Sequence, residues 1–213
     1  RNGYSQIFDG HTSIENIETT QIICFNIKSL TSMSSEIFDA QLFQGLSLAW
    51  DRCVSIGGKM KEMWENEEIA WEDITRTLLI IDESHRTINT SKPHALKQVL
   101  TYAREARKYF SGIGLASQSI RDYVPQSGNT DSDAMEQLKM LFELSTYKFV
   151  MSQDSNALEI IKTIFGSQLT ESQVEQIPEL TQGETILSIL NYKALPFAIE
   201  VDDEELALFK GGA

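Results

Sequence analysis

Cysteine is scarce in this sequence. The two present, Cys24 and Cys53, sit in a strand-like apolar run and a helix-like run, and neither has metal-ligand spacing. That usage disfavours a disulfide framework and fits a reduced intracellular compartment. Three histidines without clustered partners argue against a zinc site. Four prolines are too few for long disordered linkers. Long apolar runs are missing as well: none approaches the roughly 20 residues that span a bilayer. The start, Arg1-Asn-Gly-Tyr-Ser, has neither an initiating Met nor a signal-peptide apolar stretch, so the chain is expected to be a portion of a longer protein. Positive charge is the last shortage, with 18 Lys and Arg against 31 Asp and Glu and a formal net charge of −13. Domains that hold nucleic-acid phosphates are basic because counterion release drives such binding. Direct nucleic-acid binding by this segment is therefore disfavoured. The acidic runs at Glu65 to Glu68 and Asp202 to Glu205 read as solvated helix faces.

What is present is enough for one substantial core, in an α/β arrangement with appendages. Residues 19–27 are rich in β-branched and aromatic types and predict a strand. From Ser34 to Glu65, Ile37, Phe38, Leu42, Leu46, Ala49 and Val54 recur at helical spacing, with Ser34 or Ser35 as the cap. Gly57-Gly58 is expected to break or bend that helix. Residues 77–81 predict a second strand, whose continuous apolar character calls for cover on both faces. A helix over Pro93 to Phe110, a strand over 112–117, a helix from Asp131 or Ser132 to Glu143 and a strand over Thr146 to Met151 follow. Asn156 to Phe165 predicts a helix ended by Gly166, and Thr170 opens another. The pattern changes toward the end of the chain, where Glu184 to Leu190 and Ala198 to Val201 read as antiparallel strands added to a sheet edge. Strand-helix alternation with helical crossovers implies a mostly parallel sheet flanked by helices.

The chemistry concentrates where the strand over 77–81 stops, at Asp82-Glu83. Ligands gather at the carboxyl ends of parallel strands. One carboxylate there can hold a hydrated magnesium ion against nucleotide phosphates, and the next can orient or deprotonate an attacking water. Gln118 leaves the next predicted strand, one crossover later, so its amide falls beside that pair. A neutral amide in that place can donate to a phosphate oxygen or hold the water. The helix between them carries Arg104, Arg107 and Lys108, cations that suit the negative end of a helix dipole or charge neutralisation at a departing phosphate. His85 reads as a structural histidine.

A glycine-rich phosphate loop is not found in the sequence. The pattern G-x-x-x-x-G-K-[ST] needs a strand before it and a helix after it. In the nearest imitation, Gly57-Gly58-Lys59, the next residue is Met60, the first required glycine falls on Cys53, and the segment is helical. Gly112-Ile-Gly114 has no lysine after it.

Several stretches in order resemble one family. Tyr4-Ser-Gln-Ile-Phe8-Asp9-Gly10, Ile22-Ile-Cys-Phe-Asn26-Ile, Leu78-Leu-Ile-Ile-Asp82-Glu83, Arg104-Glu-Ala-Arg107-Lys108-Tyr and Leu115-Ala-Ser-Gln118-Ser resemble the C-terminal ATPase domain of the VirB4/TrbE/TraC family. These are the conjugative type IV secretion ATPases, related to the HerA–FtsK group of hexameric motors. The match runs to about residue 190 and is specific in combination. Asn26 stands where relatives often have Asp, and Ser84-His85 replaces the commoner Ala-Trp or Ala-His. The resemblance implies a partial RecA-like α/β domain over residues 1–213, with the Walker B side present and the Walker A side absent. It implies that the parent protein uses ATP and Mg2+, with Asp82 on the metal, Glu83 as general base, Gln118 sensing the γ-phosphate and Arg104 or Arg107 neutralising charge. It further implies self-association as a hexamer or dimer, contact with other secretion-channel components, and a cytoplasmic place at the inner face of the cell membrane, reached through partners. The segment alone is expected to be inactive.

Two other readings compete. Asp82-Glu-Ser-His85 resembles a DExH-type helicase, which couples that tetrapeptide to a Ser/Thr-Ala-Thr motif, whereas this chain has Ala116-Ser-Gln118. A non-catalytic docking and oligomerisation module with an acidic surface is the third.

Overall fold

The computed structural model describes residues 20–125 and 132–208, and within them the chain divides into two compact units. The first takes in residues up to Asp82 together with Thr101–Ala116, and the second takes in Glu83–Leu100 and the chain from Ser117 onward. The motif around Phe8-Asp9-Gly10, Thr19 of the first expected strand and the helix opening at Asp131 lie outside the described residues.

In the first unit a 31-residue helix, α1 (Ser35–Glu65), buries Ile37, Phe38, Leu42, Leu46, Trp50 and Cys53 along one stripe. The three- and four-residue spacing of those side chains produces that stripe. Ser34 takes the N-cap position without a side-chain capping bond. The expected break at Gly57-Gly58 does not occur, and Gly57 has a packing role instead. A β-carbon there would lie 2.1 Å from the Tyr109 carbonyl oxygen, so the helix approaches that backbone only because no side chain intervenes. Trp50 stacks on Tyr102 at 4.5 Å and meets Tyr109 edge-on at 6.1 Å. Trp64, Trp71 and Phe110 form a second aromatic group in edge contact. The Arg76 guanidinium lies over Trp71, 5.1 Å from the ring centre, and donates to the Trp71 carbonyl at 3.1 Å.

The strands β1 (Thr77–Ile81) and β2 (Ser111–Leu115) pair in parallel, with Thr77 opposite Ser111 and Ile81 opposite Leu115. One face of the pair carries Leu79, Ile81, Ile113 and Leu115, and Ile81 is buried. Among the described residues the other face is left open, which corrects the expectation of cover on both sides. Leu78 and Ile80 are exposed there, and their neighbours across the ladder are Gly112 and Gly114, which offer no side chain. The expected strand is not formed over its described part either, residues 20–27. β-branched residues favour a pleated surface only where partners receive them, and Ile22 and Phe25 are exposed.

Helix α2 (Pro93–Glu105) runs from the second unit into the first and ends earlier than expected, giving way to a 3-10 turn over Ala106–Tyr109. The second unit then contains α3 (Ser132–Leu144), β3 (Tyr147–Val150), α4 (Leu158–Phe165), α5 (Glu171–Gln176), β4 (Glu184–Ile189), β5 (Ala194–Ala198) and α6 (Asp203–Leu208). The sheet order is β3-β4-β5, antiparallel throughout. The last strand lies upstream of the expected Ala198–Val201, because β4 turns back within a few residues. Lys148, Val150, Ile186 and Ser188 share the buried face of this sheet. The Lys148 ammonium donates to the Ser145 carbonyl at 2.7 Å, and burial pushes its pKa down. Ala134, Leu138 and Leu141 of α3 and Ile161 and Ile164 of α4 are buried, with Phe142 touching Tyr123 and Phe165. Thr170 and Gln173 form a reciprocal capping box at the start of α5. The chain is thus mixed α/β, with one parallel strand pair and one antiparallel three-stranded sheet among the described residues.

Candidate active site

β1 ends at Ile81 with its carbonyl accepting from the Ala116 amide at 3.0 Å, so the parallel ladder runs on to the residue after β2. Asp82 follows β1 directly and is exposed. Glu83 is the next residue and turns sharply, with φ +47 and ψ +42. A left-handed backbone at a residue with a side chain is uncommon and costs on the order of 1–2 kcal/mol, so the contacts around it must hold it there.

Those contacts lie in the second unit. The Gln118 amide nitrogen donates to Glu83 Oε1 at 2.7 Å. The other oxygen, Oε2, lies 3.4 Å from His85 Nδ1. That same nitrogen is 2.9 Å from Ser117 Oγ, so the ring sits between the acidic turn and the segment after β2. Ser84, fully buried, shares a hydrogen bond with the Tyr123 hydroxyl, and the Tyr123 carbonyl accepts from the Thr90 amide at 2.9 Å. Burial pushes the Tyr123 phenol upward, the Asp122 and Glu83 carboxylates add to that, and the Ser84 and Ser117 hydroxyls oppose it. Asn89 donates to the His85 carbonyl at 2.8 Å and accepts from the Ser91 amide at 2.9 Å, which fixes the turn on its far side.

A second glutamine supports the segment from which Gln118 reaches out. Gln153 donates to the Gln118 carbonyl at 2.9 Å and accepts from the Ile120 amide at 3.1 Å. Neither Gln153 nor Tyr123 stands out in the sequence. The signal available for Gln153 is its place beyond β3, which matches the place of Gln118 beyond β2.

The structure therefore brings Glu83, Gln118, His85 and Ser117 together. Arg104 and Arg107 are exposed and belong to the first unit, as does Asp82. Among the described residues, no group of three or more His, Cys, Asp or Glu could hold a metal ion by itself. Magnesium does not require one: it is commonly held by one or two carboxylates plus phosphate oxygens and water. The exposed carboxylate of Asp82 at a strand end fits that donor set. Chemically, the cluster offers a half-buried carboxylate with one oxygen fixed by an amide and the other near an imidazole. An oriented carboxylate of this kind can take a proton from water.

No protein-family model matches the chain. It is 34% identical over 209 residues to the uncharacterized protein pXO2-09 of Bacillus anthracis, a match covering 98% of this chain and 32% of that protein. In fold it is similar to VirB4 of Thermoanaerobacter pseudethanolicus, with a TM-score of 0.64 and 21% identity, over 85% of this chain and 42% of the other. The chain therefore spans about a third of the length of the Bacillus anthracis relative and less than half of the VirB4 chain. At that identity the likeness establishes a VirB4-like fold.

Proposed function

We propose that this chain is the Walker B side of a VirB4-like ATPase that powers type IV secretion or conjugative transfer. The observation that carries the reading is the 2.7 Å bond from Gln118 to Glu83, which joins the residue after β1's acidic end to the segment after β2. The VirB4-like fold and the ordered motifs support the same reading.

In this reading Glu83 accepts the proton of the attacking water, and Gln118 fixes the carboxylate and senses the terminal phosphate. Asp82 holds magnesium, which when bound to ATP draws charge from the phosphates. Arg104 or Arg107 neutralises charge. The phosphate-gripping loop is supplied by residues outside this sequence, because no stretch within it has the required pattern. We propose further that the intact protein self-associates as a hexamer or dimer, meets other channel components and works at the cytoplasmic face of the membrane. Among the described residues no helix is long and apolar enough to cross a membrane.

The test uses the full-length protein. Glu83→Gln is expected to abolish ATP turnover, by on the order of a hundredfold or more, while nucleotide binding is kept. Unchanged turnover overturns the assignment. The chain of residues 1–213 by itself is expected to bind ATP weakly or not at all in a direct titration, since a phosphate loop supplies much of the affinity.

A further inference from the structure

Gln118 can meet Glu83 only if the backbone that carries it is held in place, and that backbone is an irregular segment between β2 and the 3-10 turn over Ile120–Tyr123. Two local bonds and one brace from a distant residue shape it. Ser117 Oγ donates to the Ser119 carbonyl at 3.3 Å, and Ser119 Oγ accepts from the Arg121 amide at 3.2 Å. The brace comes from outside the segment, from Gln153. Its side chain uses both ends at once, Nε2 on the Gln118 carbonyl and Oε1 on the Ile120 amide. The Nε2 group also donates to the Ser152 carbonyl at 3.0 Å, which fixes the carboxamide's own orientation. Gln153 thus bridges the two peptide groups that flank Ser119, and one of them belongs to the residue whose side chain holds Glu83.

A carboxamide of this length suits the task. A donor and an acceptor are needed on one planar group, which excludes a carboxylate (no donor when ionised) and a methyl-bearing side chain of the same length. Asparagine has the group but is one methylene shorter. A backbone carbonyl and amide so close to an exposed side chain would otherwise be left to water, and the loop would sample other arrangements.

We infer that Gln153 is a positioning residue for the hydrolytic step: it sets the backbone from which Gln118 orients Glu83. The inference rests on the ATPase reading of Glu83 and Gln118. It acts on turnover and leaves nucleotide affinity alone, because Gln153 bonds to the backbone of the segment that carries Gln118 and not to the acidic turn itself. A displacement of about 1 Å in a positioned group can cost on the order of a hundredfold in rate, so a detectable loss is expected from removing the brace.

The experiment is a double-mutant cycle in the full-length protein, with Glu83→Gln as reference. Gln153→Ala and Gln153→Glu are each expected to lower kcat by on the order of tenfold, with KM within about twofold. In a Gln118→Ala background the same substitutions are expected to cost little more, because residues acting through one another are not additive. Gln153→Glu matches the size of the native side chain and keeps the acceptor for Ile120, so it guards against a folding failure of the alanine variant. Hydrogen exchange at the Ile120 amide is expected to be fast in Gln153→Ala and slow in Gln153→Glu. Turnover that depends on Glu83 but is as fast in both Gln153 variants overturns the positioning role alone. Losses that multiply across Gln118 and Gln153, or that fall on KM alone, overturn it as well. Turnover indifferent to Glu83→Gln overturns the ATPase reading and the inference with it.

Discussion

The two sheets of this molecule each leave an apolar face open, β3 at Tyr147 and Phe149 and β1 at Leu78 and Ile80, and they differ in what fills the other. In β3-β4-β5, Val150, Ile186 and Ser188 are buried on one face, and Thr185 on the opposite face is buried too, donating to the Val150 carbonyl at 3.2 Å. In β1-β2 the filled face is aliphatic, and Ile81 is 8% exposed while its neighbour Ile80 is 66% exposed. The sequence of β1, Thr-Leu-Leu-Ile-Ile, shows no such asymmetry. The difference lies in connection. Antiparallel strands recruit one another through short turns, so β4 and β5 are completed by adjacent chain. Parallel strands depend on cover from elements remote in sequence. An apolar run therefore states what a strand is fit for, and the remainder of the fold decides how much of that is used.

That contrast can be broken at a single pair of residues. Ile81→Ala is expected to cost about 2–4 kcal/mol of stability, as for a buried aliphatic side chain. Ile80→Ala, same residue type and same strand, is expected to stay within about 0.5 kcal/mol in the 213-residue chain. Denaturant unfolding followed by tryptophan fluorescence reads this unit selectively, because Trp50, Trp64 and Trp71 all belong to it. Equal losses at the two positions would show that the outer face is covered after all.

The next effect in size concerns α1. Gly57→Ala forces a methyl into the Tyr109 backbone, where the nearest atom would be 2.1 Å away, and is expected to cost about 1–3 kcal/mol. Gly58→Ala has nothing within 4 Å and is expected to stabilise the helix by about 0.5–1 kcal/mol. Neighbouring glycines in one helix thus give opposite signs, read by the same tryptophan signal.

What could be read in advance follows from how local each signal is. The stripe of α1 and the strand over 77–81 repeat over enough residues to specify themselves. The helix end at Gly166 and the helix start at Thr170 are likewise local, and both stand where expected. The failures are non-local. Residues 20–27 have strand composition without a partner, and Gly57-Gly58 has breaker composition with a packing reason to remain helical. In the candidate site the same line divides Asp82-Glu83 and Gln118, which announce themselves at strand ends, from Tyr123 and Gln153. The latter matter only through bonds spanning tens of residues, such as Ser84 to Tyr123 and Gln153 to Gln118.

The last expected effect probes the second unit, where polar bonds define the site. Tyr123→Phe keeps the ring against Phe142 and removes the hydroxyl from buried Ser84, a loss expected at about 1 kcal/mol. Its pH dependence separates the hydroxyl from the ring. Burial above all raises the Tyr123 pKa in the folded protein, so the folded state holds that proton more tightly than the unfolded state does. The stability this contributes is complete below the ordinary tyrosine pKa of about 10 and is lost as pH rises through the folded value. Phenylalanine has no proton to lose. The gap between the native protein and Tyr123→Phe should accordingly be constant from pH 7 to about 9 and shrink above about 10. Lys148 titrates in the opposite sense, because its pKa is lowered, so its penalty is relieved as pH rises. It is present in both proteins and cancels in the difference. Calorimetry across that alkaline range reads the gap directly, and a gap that widens above pH 10 would mean that the hydroxyl is not held by burial.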